Sequence, residues 1–293
     1  MPFHQLVIEV PGAQVDRAEL ACNRLGAIAL SLADAGDEPL LEPKPGETPL
    51  WQSLKLRAIF SVSIDPKIAA ATLEAVLCLP PGAIGIEYVE DRAWEREWLK
   101  DFHPMRFGKR LWVSPAGQQP DQPAPVILEL DPGLAFGTGT HATTALCLEW
   151  LDSGIAGGER VLDYGCGSGI LALAALKLGA AEATAFDIDP QALRATRENA
   201  QKNGLSTRVA TPDQAGAIDG HFDVVLANIL AGPLTELAPR LASLARTGGS
   251  LVLAGLLAHQ AAEVAQAYRP WFDIGPVAER EEWTLLAGRR RPE

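Results

Sequence analysis

The chain has 293 residues, of which 47% are hydrophobic and 21% are charged, and its formal net charge is −12. This length and composition indicate a folded protein of about two domains and exclude a mainly disordered chain. The negative charge argues against a protein whose main task is to bind nucleic-acid backbones, which requires clustered Lys and Arg. It suits a basic partner, although an acidic surface that only maintains solubility remains an alternative.

The cysteines and the N-terminus indicate a reduced, cytoplasmic protein. The four cysteines form no CxxC pair and no Cys/His spacing, so we expect neither a disulfide framework nor a metal site. The start, MPFHQLVIEV, lacks the basic segment and apolar run of a signal peptide. No window approaches the length of apolar sequence that a membrane span needs, so we expect no membrane partner.

The first 91 residues predict a small α+β domain. Strand-like runs are FHQLVIEV, AIALSLADA, LKLRAIFSV and IGIEYVE, and helix-like runs cover residues 13 to 25 and 66 to 78. The resulting order βαββαβ is that of the split βαβ, ferredoxin-like arrangement. No phosphate loop, metal spacing or catalytic triad is visible in this part.

Residues 92 to 125 are predicted to be a connector. RAWEREWLKDF predicts a short helix whose two tryptophans, four residues apart, favour packing over chemistry. RLWVSP is a possible strand, and AGQQPDQPAP has the composition of an exposed loop. The domain boundary is therefore expected near this loop or just before the helix.

From residue 126 to 293, short β-branched runs alternate with helical ones, which predicts a parallel sheet covered on both faces. The strand-like runs are RVLDYG, ATAFDI, RVAT, FDVVLANI, SLVLAGL, FDIGPVAER and EWTLLAGR. The last two have no room for a helix between them. They predict an antiparallel hairpin added to a doubly wound sheet.

A glycine turn follows the first of these strands, in VLDYGCGSG. Gly165, Gly167 and Gly169 let a ligand approach the backbone at the N-terminus of the next helix. A dinucleotide-binding GxGxxG would need glycine at position 170, where the chain has Ile170. The GxGxG spacing is weak evidence by itself.

The ends of two further strands strengthen the evidence for a ligand site at this turn. Asp187, at the end of the second strand, can accept both hydrogen bonds from a ribose diol, whereas Asp189, just before Pro190, is expected to cap the next helix. Asn228, at the end of the fourth strand, can accept a hydrogen bond from a substrate amine and leave the nitrogen lone pair directed at an electrophile. The alternative for Asn228 is a strand-end residue that stabilises its own turn.

The segment DPGLAFGTGTHATT, residues 131 to 144, precedes an apolar, helix-like run. One interpretation is a loop whose Thr140 or Thr143 caps the helix. The interpretation that we favour is a flap that closes over a cofactor with Phe136 and offers carbonyl groups to an amine. His141 is a candidate base, but a histidine that bonds to backbone is the preferred interpretation.

Together these features resemble the class I S-adenosylmethionine-dependent methyltransferases, whose strands usually follow the order 3-2-1-4-5-7-6. DPGLAFGTGTHATT, VLDYGCGSGILALAALKLGA, DIDPQALRATRENAQKNG and ANILAGPLTELAPRL are similar, more narrowly, to the bacterial family that methylates the eleventh protein of the large ribosomal subunit. The resemblance covers essentially the whole chain. One departure is Ala142, where the family commonly has proline, which should loosen the helix entry slightly.

The resemblance implies a Rossmann-like, seven-stranded methyltransferase domain preceded by a ferredoxin-like domain that holds the substrate. It implies S-adenosyl-L-methionine as the cofactor, with no metal, and methylation of the α-amine and lysine ε-amines of a basic ribosomal protein to the trimethyl state. The residues implied to contact the cofactor or lie close to it are Thr144, Gly165, Asp187, Asn228, Gly167, Phe136 and Gly137. Asn228 is also expected to position the amine.

Three other functions remain as alternatives. A nicotinamide oxidoreductase would use the same sheet, but Ile170 and Asn228 argue against it. A non-catalytic acidic assembly factor would explain the charge and leave the glycine turn without a role. A nucleic-acid methyltransferase would need basic and aromatic surface beside the site, which the sequence does not show, so no direct nucleic-acid readout is expected.

Overall fold

The computed structural model describes residues 3–36, 51–89, 103–115, 117–120, 126–131 and 139–292. The chain divides into two compact units, residues 1–93 and 94–293. The predicted connector helix near residue 95 lies outside the described residues. The domain boundaries predicted after residues 91 and 125 stay predictions.

The first unit has the predicted order βαββαβ. Its strands are β1 (Phe3–Pro11), β2 (Ala29–Asp34), β3 (Ser53–Ser61) and β4 (Gly85–Val89), and its helices are α1 (Val15–Arg24) and α2 (Pro66–Leu77). The sheet is antiparallel with the order β2-β3-β1-β4. Alternate residues of the two central strands are buried, as period-two strands require, including Leu6, Ile8, Leu54 and Leu56.

The second unit is built on a seven-stranded sheet with the order β10-β9-β8-β11-β12-β14-β13. Its strands are β8 (Arg160–Tyr164), β9 (Glu182–Phe186), β10 (Val209–Ala210), β11 (Phe222–Asn228), β12 (Ala245–Leu257), β13 (Phe272–Arg280) and β14 (Trp283–Arg290). Counted from β8 in chain order, this is the expected order 3-2-1-4-5-7-6. β14 is antiparallel to both β12 and β13, which confirms the predicted hairpin.

Helices cover both faces of this sheet, and two separate hydrophobic clusters result. The helices are α3 (Ala142–Gly154), α4 (Ile170–Leu178), α5 (Pro190–Lys202), α6 (Ala231–Glu236), α7 (Ala238–Leu244) and α8 (Ala261–Tyr268). The single helix expected over PLTELAPRLASLA is wrong, because the chain forms α6 and α7 there. Pro239, in the first turn of α7, has no N–H to continue the hydrogen bonds of α6.

A three-stranded sheet, with the order β5-β6-β7, lies in the same unit. Its strands are β5 (Met105–Phe107), β6 (Leu111–Pro115) and β7 (Val126–Leu130). β6 matches the possible strand RLWVSP, whereas β5 and β7 were not predicted. β7 pairs in parallel with β6, so segments on either side of the predicted boundary at residue 125 belong to one sheet.

Asp152 of α3 fixes the turn between β5 and β6. Its carboxylate, which is buried, accepts hydrogen bonds from the backbone N–H groups of Lys109, Arg110 and Leu111 at 2.7, 3.0 and 3.1 Å. A β-carbon on Gly108, whose φ is 66°, would lie 2.3 Å from this carboxylate. The Asp152 carboxylate therefore ties this turn to α3, and the Arg110 side chain adds hydrogen bonds to the carbonyl groups of Asp152 and Ile155.

Among the residues that the structure describes, no helix combines the length and the apolar character needed to cross a lipid bilayer.

Candidate active site

Three predicted site residues follow three adjacent strands. Gly165 comes directly after β8, Asp187 comes directly after β9, and Asn228 ends β11. β8 lies between β9 and β11 and is parallel to both, so the three residues meet at one edge of the sheet. This carboxyl edge, at the point where the strand order reverses, is where open α/β sheets bind ligands.

Residues 165 to 169 form the glycine turn that is predicted to contact the cofactor, hereafter the cofactor turn. Gly165, Gly167 and Gly169 have φ values of 85°, 53° and 80°, which favour glycine at each position. A β-carbon on Gly165 would lie 2.4 Å from Ile229 Cγ2, and one on Gly169 would lie 2.8 Å from Thr196 Cγ2. The close approach of a ligand is the explanation that the sequence suggests for these glycines. This explanation is incomplete, because neighbouring side chains occupy the space at Gly165 and Gly169.

Asp187 is held beside the cofactor turn by two backbone groups. Its Oδ2 accepts from Gly167 N–H at 2.9 Å, and its Oδ1 accepts from Asp189 N–H at 3.0 Å. A carboxylate offers about four lone-pair positions, so each oxygen retains capacity for a ribose hydroxyl. Asp189 accepts from Gln191 N–H at 2.8 Å at the start of α5, and its predicted capping role is confirmed.

Asn228 contacts a second predicted site residue. Its Nδ2 donates to Oγ1 of Thr144, a buried residue of α3, over 3.3 Å. This bond turns the amide nitrogen toward α3 and leaves Oδ1 on the opposite side of the amide, where it is an acceptor. The contact fixes the orientation that an amine-binding role requires.

His141 caps α3, so the alternative in which Thr140 or Thr143 is the cap is wrong. Thr143 N–H donates to its Nδ1 at 3.3 Å, and Thr143 Oγ1 lies 2.8 Å from the same atom. The ring also packs edge-on against Trp283 of β14, with centroids 4.9 Å apart. The preferred interpretation of His141, a histidine bonded to backbone, agrees with this geometry. α3 begins at Ala142 although proline is absent there.

Asp163, in β8 just before the cofactor turn, was missed by sequence reasoning. It is fully buried, its Oδ2 accepts from Ala172 N–H at 3.0 Å, and no hydrogen bond to its Oδ1 is found within the described part of the chain. The pKa of this carboxyl is raised to about 7. Burial is the main cause, the hydrogen bond from Ala172 N–H opposes it, and the charge of Asp187 adds to it. A charged residue inside an apolar strand was the available signal.

A polar stripe on α5, composed of Thr196, Asn199 and Asn203, was missed as well. Thr196 Oγ1 donates to Gly167 O at 3.1 Å, and Asn199 Nδ2 donates to Ser168 O at 3.0 Å. On the other side, Asn199 Oδ1 accepts from Asp131 N–H, and Asn203 bonds to both backbone groups of Glu129. Inward-facing polar residues at a spacing of three and four were the signal in the sequence.

Two predicted site residues, Phe136 and Gly137, lie outside the described residues. Whether they lie close to the cofactor stays a prediction, as does the flap role of their segment. The structure does place Gly165, Gly167, Asp187 and Asn228 at one edge of the sheet, where Asp187 bonds to Gly167 and Asn228 bonds to Thr144 of α3.

Comparison with known proteins agrees with this architecture. The profile of the ribosomal protein L11 methyltransferase (PrmA) family matches residues 2–291. The ribosomal protein L11 methyltransferase of Serratia proteamaculans (strain 568) is 50% identical over 294 residues, which cover 99% of this chain and 100% of that protein. The protein of the same name from Klebsiella pneumoniae (strain 342) is 50% identical over 295 residues, with coverage of 99% and 100%.

A solved structure shows the same relationship. The ribosomal protein L11 methylase of Lactobacillus delbrueckii subsp. bulgaricus is 35% identical, with a TM-score of 0.60, and the match covers 65% of this chain and 100% of that one. The predicted fold, the resemblance and the expected S-adenosylmethionine-dependent protein methyltransferase activity are confirmed by these matches. The chain belongs to the ribosomal protein L11 methyltransferase (PrmA) family.

Proposed function

We propose that this protein transfers methyl groups from S-adenosyl-L-methionine to the α-amine and lysine ε-amines of ribosomal protein L11, to the trimethyl state. The substrate is the one that the names of the full-length relatives give. The observation that carries the proposal is the Asn228 amide, which Thr144 orients at the same sheet edge as Asp187 and the cofactor turn.

The residues at this edge fit a sulfonium nucleoside. Asp187 would hold the ribose, because two backbone N–H groups aim its carboxylate and lone pairs remain for a diol. Ile188, which is 90% exposed beside it, offers an apolar surface for the base. Gly165, Gly167 and Thr144 would line the rest of the cofactor site, with Phe136 and Gly137 as further predicted contacts.

When bound, the cofactor supplies an electrophilic methyl group next to a positively charged sulfur. Transfer requires a neutral amine in line with that methyl group, with water excluded. We propose that in the first two transfers Asn228 Oδ1 accepts one N–H of the neutral amine and so directs the nitrogen lone pair at the methyl group, which leaves S-adenosylhomocysteine behind. The neutral dimethylated amine of the third transfer has no N–H, so that transfer depends on the shape of the site. The bond from Asn228 to Thr144 holds the amide in place while the substrate binds.

Deprotonation of the amine is the costly step. A lysine with a pKa near 10.4 costs about 4 kcal/mol to deprotonate at pH 7.4, at about 1.36 kcal/mol for each pKa unit. Desolvation beside a cation offsets much of this cost. We propose that the proton leaves to solvent, because His141 Nδ1 already binds Thr143 N–H and acts as a helix cap.

The substrate is proposed to be recognised by the first unit and by charge. The net charge of −12 complements a basic ribosomal protein and repels nucleic acid, so no direct nucleic-acid readout is proposed. The proposed location is the cytoplasm, without a membrane partner, where ribosomal proteins are made.

Mass spectrometry of purified L11 tests the function. The full-length protein, incubated with L11 and methyl-labelled S-adenosylmethionine, should add label to the α-amine and to lysine side chains, with up to three methyl groups on each nitrogen. The Asn228→Ala variant serves as the control, since it should bind the cofactor and transfer little label. Absence of label from L11 would contradict the proposal. When all ribosomal proteins and ribosomal RNA are supplied together, label on a different protein or on RNA would contradict it as well.

A further inference from the structure

The α5 polar stripe suggests a positioning role that goes beyond the contacts of the proposed active site. We propose that Asn199 holds the cofactor turn and the end of β7 in fixed register, so that a ligand bound at the turn also stabilises the backbone at Asp131. The inference rests on the proposed cofactor site, because the turn is assumed to bind the cofactor.

Asn199 uses both ends of a fully buried amide. Its Nδ2 donates to Ser168 O at 3.0 Å, and its Oδ1 accepts from Asp131 N–H at 3.1 Å. Because the amide is buried, its loss would remove a hydrogen bond from the Ser168 carbonyl and one from the Asp131 N–H. One side chain therefore connects two segments that are 37 residues apart in sequence, by the numbers 131 and 168.

On the side of the turn, α5 binds two successive carbonyl groups. Thr196 holds Gly167 O and Asn199 holds Ser168 O. Since a peptide group is planar, a fixed carbonyl also fixes the N–H of the following residue. The Ser168 carbonyl thus fixes Gly169 N–H, which donates to Cys166 O at 2.8 Å. Cys166 O shares a peptide group with Gly167 N–H, which donates to the Asp187 carboxylate. The stripe thus sets the orientation of the carboxylate proposed to bind the ribose.

On the side of β7, Asp131 is held through both its backbone and its side chain. Besides the backbone bond to Asn199, its carboxylate forms an ion pair with Lys202 Nζ at 2.8 Å. Asp131 is also the first residue of the glycine-rich segment noted in the sequence. Fixing its backbone therefore fixes the point at which that segment leaves the sheet.

Asn203 provides a matched control on the same helix face. Its amide bonds to both backbone groups of Glu129, at 3.0 and 2.6 Å, and to Asn199 O, but no bond to the cofactor turn is found among the described residues. If the stripe only stabilised the fold, Asn199 and Asn203 substitutions would affect ligand binding alike. The proposal requires that they differ.

The first experiment measures binding of S-adenosylhomocysteine by calorimetry to the full chain. Asn199→Leu should raise the Kd about tenfold or more, whereas Asn203→Leu should leave it within about twofold, even if both lower the Tm. Thr196→Val, which keeps the shape and removes one bond to the turn, should fall between them. Equal Kd values for the folded Asn199→Leu and wild-type proteins would overturn the inference.

The second experiment needs no variant, so it decides the question even if Asn199→Leu does not fold. Hydrogen exchange of the wild-type amides is followed with and without S-adenosylhomocysteine. The ligand should slow exchange at Gly167 and also at Asp131. Slower exchange at Gly167 with no change at Asp131 would contradict the inference alone, whereas absence of any binding would contradict the proposed cofactor site.

Discussion

Asp187 and Gly167 are joined by a hydrogen bond of 2.9 Å between the carboxylate Oδ2 and the backbone N–H, so the group proposed to bind the ribose is bonded directly to the turn proposed to bind the rest of the cofactor. A bond from a backbone N–H to a charged acceptor is among the stronger hydrogen bonds in proteins. Alignment of this carboxylate therefore depends on the turn.

Replacement of Asp187 by Asn should weaken cofactor binding strongly. The amide keeps one acceptor oxygen for one backbone N–H but places its NH2 against the other, and it loses the charge, so we expect the Kd for S-adenosylhomocysteine to rise on the order of 10². Calorimetry checks the change. Asp189→Ser is the control, since serine can also cap α5 and should leave the Kd within about twofold.

The Asn228→Ala variant should separate chemistry from binding. Loss of an orienting contact is expected to lower kcat on the order of 10² or more, while the cofactor Kd changes less. Single-turnover assays with labelled cofactor measure the first quantity and calorimetry the second. A turnover within a few-fold of the wild type would show that the amide does not position the amine.

Stability should depend on pH through Asp163. Its folded-state pKa of about 7 lies above the ordinary value of 3.8, because burial disfavours the charge. The unfolded chain releases this proton from about pH 4, whereas the folded protein retains it to about pH 7, so the group increasingly destabilises the fold across that window. Asp163→Asn should therefore gain about 2 to 3 kcal/mol relative to the wild type between pH 5 and pH 8.

Urea denaturation at the two pH values measures this gain, and Asp223→Asn is its control. Burial raises the pKa of Asp223, but hydrogen bonds from Arg160 N–H and Arg246 outweigh it, so its pKa lies below the ordinary range. The stability that the charged Asp223 contributes is lost only when acid protonates it, at pH values at or below the ordinary pKa range. The effect of Asp223→Asn on the free energy of unfolding should therefore be constant from pH 5 to pH 8. A constant effect for Asp163→Asn as well would show that the buried carboxyl does not retain its proton.

The buried carboxylate of Asp152 should contribute far more to stability than the exposed carboxylate one turn before it. Asp152→Ala leaves three backbone N–H groups without their acceptor and should lower the free energy of unfolding by about 3 kcal/mol. Glu149→Ala breaks only a surface ion pair with Arg280 and should cost less than about 0.5 kcal/mol. Similar losses in urea denaturation would contradict the assigned role of Asp152.

Deletion of residues 1 to 91 should separate substrate recognition from cofactor binding. The second unit has its own hydrophobic clusters, so we expect S-adenosylhomocysteine to bind with a Kd within about threefold of the full chain. Methylation of intact L11 should be lost. Retained activity on L11, measured by mass spectrometry, would show that the first unit does not deliver the substrate.

The sequence predicted those parts of the fold in which periodicity and position agree. Apolar strands alternating with helices indicated the doubly wound sheet, and the short connection before EWTLLAGR indicated the antiparallel hairpin. Asp187 and Asn228 could be found because the ends of parallel strands meet at one edge. Each of these inferences needs only local pattern and chain direction.

The parts that were missed depend on contacts between distant residues. β5 and β7 are short, and β7 is stabilised by the side chains of α5 as well as by β6. Asn199 looks like an ordinary helix residue until its two partners are known. His141 was not expected to be the cap, because a histidine caps a helix less often than the threonines beside it.

One edge of β7 pairs with β6, and the other edge bonds to side chains of α5. The second arrangement has a consequence for self-association. The backbone of Glu129 and the N–H of Asp131, on the side away from β6, are already bonded to Asn203 and Asn199. A strand from another molecule could add there only by displacing these amides. The side chains of α5 therefore protect this edge of β7 against aggregation and strand exchange. Other proteins protect exposed strand edges with lysine, proline or β-bulges.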